Sequence, residues 1–378
     1  MKKINVNLGT RSYEIIAGYD ILKNLGEYIN EKAIGKDAFL ITNKPLNRIY
    51  ARDVKQALNK NRINVENVVL PDGEDQKSLD NWKLLLEKLT RFDGLGKRVF
   101  IIAFGGGVIG DLAGFAAASY RRGINYIQVP TSLLSQVDSG VGGKVGVNFM
   151  NIKNLVGSFY QPKLVLADVK LLNTLPEEEF RSGLAEVIKY GVIYDKKLFE
   201  LLEKNIESII GLNHKILEDI VAACYKIKAG IVGEDELDKT GKRAILNFGH
   251  TIGHALEGSN QYSYRHGEAV SIGMVCAAEI AVELGLCSRG VLMRLESLLK
   301  KTGLPVRIKK GNIDDIIAAM GHDKKFIYGK TRFILPVRIG KVRVKDNIDI
   351  KLIKKVIFSR ILHRTWDSLK MKGNCVLL

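Results

Sequence analysis

Arg98-Val-Phe-Ile-Ile-Ala-Phe104 runs directly into Gly105-Gly-Gly-Val-Ile-Gly-Asp111. The first part is a near-continuous apolar run of strand length, the pattern of a strand covered on both faces of a sheet. The glycines behind it let backbone amides approach a phosphate closely, and the helix they open supplies partial positive charge at its N-terminus. The order is not the usual Gly-x-Gly-x-x-Gly dinucleotide fingerprint. By itself the motif therefore leaves both a phosphate cradle and a plain structural turn open.

Working outward, short β-rich runs alternate with helical ones. Ile4 to Leu8 and Tyr13 to Ile16 read as a hairpin around Gly9-Thr10, and Ala38 to Thr42 as a buried strand. Arg48 to Lys60 reads as a helix, Asn67 to Leu70 as a strand and Leu79 to Leu89 as a helix. Leu112 to Ser119 is helical and Asn125 to Val129 a further strand. Such alternation argues for a parallel sheet with helices on both faces. After Leu166-Ala-Asp168 the texture changes. Pro176 followed by three glutamates favours helix initiation, and helical patterning continues to about Leu299. A strand pair, Arg332 to Ile334 and Val342 to Val344, and a last helix follow. The expected fold is an α/β domain with a parallel sheet over residues 1–175, then a mostly α-helical domain over 176–378.

A chain of 378 residues exceeds the usual single-core limit. No apolar run is long enough to span a bilayer, and the basic N-terminus has no apolar stretch behind it, so neither a membrane segment nor a signal peptide is expected. Cys224, Cys276, Cys287 and Cys375 show no paired metal-type spacing, which suits a reducing cytoplasm without a disulfide framework. The net charge of +17 is concentrated late: residues 301–378 hold 19 Lys/Arg against 6 Asp/Glu. Those cations alternate with apolar residues, as in Lys341-Val-Arg-Val-Lys345, and lack interleaved aromatics for base stacking. Solvated strand and helix faces are expected there, not a nucleic-acid surface. The final Cys375-Val-Leu-Leu378 fits a prenylation box, but a four-residue match with no other membrane signal reads as chance.

Three further stretches carry chemistry. Asn247-Phe-Gly-His250-Thr-Ile-Gly-His254, with His266-Gly-Glu268, gathers three of the six histidines. Residues four apart share a helix face, so His250 and His254 can point to a common metal, with His266 returning from the next element; a polar face with two satisfied histidines is the alternative. In Thr131-Ser132-Leu-Leu-Ser-Gln-Val-Asp138-Ser-Gly-Val-Gly-Gly-Lys144, glycines bracket one lysine, giving a loop able to fold around an anion. Asp72-Gly-Glu74-Asp-Gln-Lys77 ends a strand and could reach ribose hydroxyls or be solvated loop.

Taken together these runs, with Ala185-Glu-Val-Ile-Lys-Tyr-Gly191, resemble the 3-dehydroquinate synthases of the sugar phosphate cyclase family from about Val6 to Val344. The resemblance implies NAD held by the first domain through Glu74, Lys77, Gly106, Gly107, Val108, Asp111, Thr131, Ser132, Lys153 and Thr174. It implies zinc, or cobalt or another divalent metal, on Glu186, His250 and His266, with His254 an acid/base and phosphate-contacting group. The substrate implied is a phosphorylated seven-carbon keto-acid sugar. Lys144, Asn154, Asn247, His254 and Lys324 would hold its phosphate, with Arg122 from a neighbouring subunit of a homodimer. Lys228 and Arg243 would take its carboxylate, and Asp138 and Lys189 its ring hydroxyls. The implied reaction is transient oxidation by NAD, phosphate elimination, re-reduction and aldol ring closure, with no net NADH.

Two departures stand out. Asp238-Lys-Thr-Gly-Lys-Arg243 replaces the family's usual glutamate and adds one residue, although Arg243 keeps its spacing of seven to His250. The first nucleotide contact, often aspartate, reads Thr42-Asn43. The rivals are a sister cyclase, a metal-dependent polyol dehydrogenase and a basic nucleic-acid binder. The carboxylate pair Lys228 and Arg243 argues against the first, the phosphate set against the second and the histidines against the third.

Overall fold

A computed structural model describes residues 1–150, 152–258, 264–309, 312–321 and 332–362. Two compact units emerge, Met1–Val187 with Asn205–Arg243, and Ile188–Lys204 with Ala244–Leu378. The sequence expectation cut the chain once, at Pro176.

In the first unit β1 (Lys2–Val6), β2 (Tyr13–Gly18), β3 (Asp37–Asn43), β4 (Asn64–Leu70), β5 (Val99–Gly105) and β6 (Tyr126–Pro130) alternate with α1 (Leu25–Glu31), α2 (Lys44–Asn59), α3 (Leu79–Phe92) and α4 (Gly107–Ser119). A hairpin, β7 (Lys144–Phe149) and β8 (Ile152–Phe159), precedes β9 (Leu164–Asp168). The seven-stranded sheet runs β1-β2-β9-β6-β5-β3-β4, parallel except for β1. From β3 the chain crosses to β4 on one side, whereas β5 leads to β6 on the other. This reversal opens a crevice beyond the carboxyl ends of β3 and β5, where open α/β sheets bind ligands.

The apolar run before the glycines is β5, with Phe100 to Phe104 buried. Helix α4 starts at Gly107, five residues earlier than its side chains suggested. Glycine has poor helix propensity, but here packing overrides it. A Cβ at Gly114 would lie 2.4 Å from Val145, and one at Gly110 2.9 Å from Gln128, so both glycines let neighbours close on the helix.

The lysine-bearing glycine stretch is a loop only as far as Gly143. Lys144 begins β7, and Gly146 faces Gly157 across the hairpin, where a Cβ on Gly146 would meet Val156 O at 2.5 Å. The strand was missed because glycines there serve close backbone approach, which removes the alternating side-chain signal.

Helix α5 (Glu177–Ile193) passes from the first unit into the second. Helix α6 (Lys196–Ile210) is interrupted at Asn205 (φ −120°, ψ 16°), where the chain returns to the first unit. Helix α7 (His214–Glu234) packs Leu217, Ile220, Val221, Tyr225 and Val232 inward, lying against β1 and β2.

In the second unit α8 (His250–Gly258), α9 (His266–Glu283), α10 (Arg289–Lys301) and α11 (Ile313–Gly321) precede a hairpin, β10 (Arg332–Arg338) and β11 (Lys341–Asp346), and α12 (Ile350–Arg360). Helix α9 is apolar almost throughout and packs against α8, α10, α12 and β10. Such a helix belongs in a core. Among the described residues the late cations of β11 are largely exposed, and Lys354 and Lys355 pair with Asp314 and Glu283, whereas Arg360 is buried against Glu279 and Glu296. Among the described residues no helix is long and apolar enough to cross a membrane. Cys375-Val-Leu-Leu378 and Lys324 lie outside the described residues.

Candidate active site

Two histidines open two helices. His250 is the first residue of α8 and His266 the first of α9. They meet because the helices cross at backbone contact: a Cβ on Gly273 would stand 1.9 Å from Gly249 O. Gly249 also takes a left-handed φ of 82°, turning the chain into α8. The rings of His250 and His266 lie 5.4 Å apart.

Each ring is oriented from behind. His250 Nδ1 lies 3.1 Å from Phe248 O, which can only accept, so Nδ1 carries the proton and Nε2 keeps its lone pair. His266 Nδ1 lies 3.0 Å from Glu257 Oε1, again leaving Nε2 as the donor atom for a metal. Imidazoles backed by a carbonyl and by a carboxylate are the usual outer shell of a metal site. Glu186, on α5, is fully buried. Its carboxylate and the two imidazoles place one ligand atom each within 4.8 Å of one another. A carboxylate that deep needs a compensating cation, and one oxygen with two neutral nitrogens suits zinc or cobalt while leaving coordination open. These residues fit the metal.

His254 is not in that group. Its ring stands 5.1 Å from His250 and nearly perpendicular to it. Four-residue spacing put the two on one face, but the third ligand came from α5 rather than from the same helix. Glu268 is a helix cap, accepting from Arg265 N at 2.9 Å. Glu257 was missed, although it falls one turn beyond His254.

In the first unit, Gly106 caps α4 without a side-chain hydrogen bond, leaving first-turn N–H groups open. A Cβ on Gly106 would meet nothing nearer than Ser132 Oγ at 3.7 Å, and one on Gly107 would come within 3.2 Å of Ser139 Oγ. Val108 follows in the first turn, and Thr131 N bonds Gly105 O at 3.0 Å beside it. This cradle fits a dinucleotide phosphate.

Lys77 is buried and joins the nucleotide set to the hairpin. Its Nζ reaches Asp111 Oδ2 at 2.5 Å and also Asn154 Oδ1. Burial pushes the Asp111 carboxyl up, against the pull of Lys77. Asn148, absent from the sequence reading, holds Glu74 Oε1 at 2.8 Å and Asn154 N at 2.9 Å. Lys153 is exposed, and Thr174 is tied to Tyr50 at 2.8 Å. Asn43 caps α2 through Leu46 N and bonds Asp72, which accounts for asparagine there.

Lys228 is buried on α7 and donates to Asp138 Oδ1 at 2.8 Å. Arg243 is 5% exposed. Its Nη1 donates to Glu236 O at 2.9 Å, while Nε is buried without an acceptor among the described residues. Lys144 is half exposed and pairs with Asp238 Oδ2 at 2.6 Å, so the insertion supplies a counter-ion. Such a surface pair is worth ~0–1 kcal/mol, weak enough for a phosphate to replace. Lys189 is buried with Nζ 5.3 Å from the centre of the Tyr190 ring, and Asn247 is half-buried at the end of the turn before α8. Arg122 lies past the far end of α4, roughly 20 Å from Gly107 at 1.5 Å per residue. It cannot serve the glycine cradle of its own chain.

Residues 67–182 match the family described as 3-dehydroquinate synthase N-terminal, and residues 183–326 that described as 3-dehydroquinate synthase C-terminal. The 3-dehydroquinate synthase of Desulforamulus reducens is 46% identical over 351 residues, covering 92% of this chain and 97% of that protein. A crystal structure of 2-deoxy-scyllo-inosose synthase complexed with carbaglucose-6-phosphate, NAD+ and Co2+ superposes with TM-score 0.86 at 29% identity, over 95% of this chain and all of that one. The 2-epi-5-epi-valiolone synthase of Streptomyces hygroscopicus, with NAD+ and Zn2+ bound, gives 0.84 at 25% identity, over 95% and 97% of the two chains.

Proposed function

The chain belongs to the 3-dehydroquinate synthase family, and on that premise we propose that it converts 3-deoxy-D-arabino-heptulosonate 7-phosphate to 3-dehydroquinate and phosphate, as a carbon–oxygen lyase of aromatic amino-acid biosynthesis. The observation that carries the reading is the buried Glu186-His250-His266 group. When bound there, a divalent metal polarises a substrate hydroxyl, and NAD supplies a reversible hydride acceptor. Residues 1–175 bind the cofactor and 176–378 hold the metal.

The chain's own residues position and compensate charge. Gly106, Gly107 and Val108 present backbone N–H groups to the pyrophosphate, with Thr131 and Ser132 beside them. Lys144, Asn154, Asn247, His254 and Lys324 take the substrate phosphate, with Lys144 released from Asp238. Lys228 and the Nε–Nη2 edge of Arg243 take the carboxylate. That Arg243 is buried with no acceptor for its Nε among the described residues favours a carboxylate-bearing substrate over a sugar phosphate without one, since a buried cation needs an anion. Asp138 and Lys189 hold ring hydroxyls. The substrate phosphate acts as its own base at C6, so the protein supplies orientation. A cytoplasmic setting accords with the free thiols of Cys224, Cys276 and Cys287.

NAD is expected in catalytic quantity only. Phosphate release should proceed without accumulation of reduced nicotinamide. Stoichiometric NADH during turnover would replace the cyclase with a polyol dehydrogenase.

The working unit proposed is a homodimer. Phe149, Met150, Ile152, Leu155 and Phe159 are all exposed on one hairpin, and the family resemblance assigns Arg122 to the substrate phosphate of a neighbouring subunit. Sedimentation should give a dimer at micromolar concentration, and Ile152→Asp with Leu155→Asp should lower the mass to that of one chain. A monomeric, fully active wild type would contradict this.

A further inference from the structure

We infer that Arg11 and Glu236 are positioning residues that aim the Arg243 guanidinium at the substrate carboxylate, an inference that rests on the function proposed above. A carboxylate is bound best by two parallel N–H bonds from one edge of a guanidinium. In this chain Nη1 of Arg243 is occupied by two carbonyls, Glu236 O at 2.9 Å and Gly142 O at 3.4 Å. Nε is buried and has no acceptor among the described residues. The edge formed by Nε and Nη2 is thus the one left for a ligand, and its direction is set by the carbonyl of Glu236.

That carbonyl is anchored through its own side chain. The Glu236 carboxylate accepts from Arg11 Nε at 3.0 Å and Nη2 at 2.7 Å, and from Gln161 Nε2 at 3.2 Å. The Arg11 contact holds the Glu236 carboxyl below its ordinary range. Two glycines make the assembly possible. Gly142 has φ 103°, and a Cβ there would stand 2.8 Å from Arg243 Nη2; a Cβ on Gly143 would stand 2.5 Å from Gln161 Nε2. The glycine run before Lys144 therefore admits Arg243 and Gln161. Behind Glu236, Asp235 accepts from Lys239 N and Thr240 N at 2.8 and 3.1 Å, closing the inserted turn. Burial opposes ionisation of Asp235, but these N–H groups hold its pKa down to about 2, so the turn stays closed at any working pH.

Arg11 lies on the turn joining β1 to β2, far from Arg243 in sequence, and its side chain is 62% exposed. An exposed ion pair adds little stability, so its loss should be read in substrate binding, not in folding. The test measures KM and kcat for the heptulosonate phosphate, and inhibition by inorganic phosphate, in wild type, Arg11→Ala, Glu236→Gln and the swap Arg11→Glu/Glu236→Arg. The single variants should raise KM about tenfold with kcat within about twofold. Inhibition by inorganic phosphate and metal content should not change, and the swap should recover most of the lost affinity. Wild-type KM in both single variants would overturn the inference, as would an equal loss of phosphate inhibition or a swap no better than its parents. A wild type that fails to turn over the heptulosonate phosphate would instead overturn the proposed function.

Discussion

His250→Ala should be isolated without stoichiometric divalent metal and lose on the order of a thousandfold or more in kcat/KM, about 4 kcal/mol of transition-state stabilisation. The reason is the small ligand set. Glu186, His250 and His266 supply one donor each, and a catalytic site needs all three to keep a metal while leaving coordination open. The change also removes an imidazole whose orientation is fixed by Phe248 O. Glu257→Gln makes the informative comparison. It keeps all three ligands but weakens the acceptor behind His266 Nδ1, so zinc affinity should fall about ten- to a hundredfold without being abolished. Elemental analysis of both proteins, with chelator titration of the second, reads the metal directly. Full occupancy in His250→Ala would dismantle the assignment.

Arg243→Ala should cost about 2–4 kcal/mol in kcat/KM, the scale for losing one partner of a desolvated charge pair. Metal content should be unchanged, because no ligand is touched. Arg243→Lys should recover little, since an ammonium cannot reproduce two parallel bonds. The wild type should also fail on a seven-carbon sugar phosphate lacking the carboxylate. Comparable turnover of that analogue, or a wild-type Arg243→Ala, would move the chain towards the sister cyclases.

These variants rest on residues of different legibility. Strands β3, β5 and β6 were readable because buried parallel strands are near-continuous apolar runs, and the β1–β2 hairpin because Gly9-Thr10 marks its turn; both signals are local. The three ligands were readable too, but only as motif segments. Spacing alone pointed to His250 with His254, since sequence distance reports which residues share a helix face and says nothing about which other helix arrives there. The crossing of α8 and α9 at Gly249 and Gly273 brings His266 to His250, and α5 brings Glu186.

By itself, then, the amino-acid order determined the α/β and helical classes and the glycine turn after β5, while the candidate ligands came through the family resemblance its motifs carry. Tertiary structure alone decided the rest. It made Lys144 the start of a hairpin, turned Asp238 into its counter-ion, set Glu257 behind His266 and joined Arg11 to Glu236. Each of these pairs residues distant in the chain or on different elements. A charge or a glycine carries no record of its partner: glycine marks only that something comes close, and an ion pair forms with whichever opposite charge packing delivers.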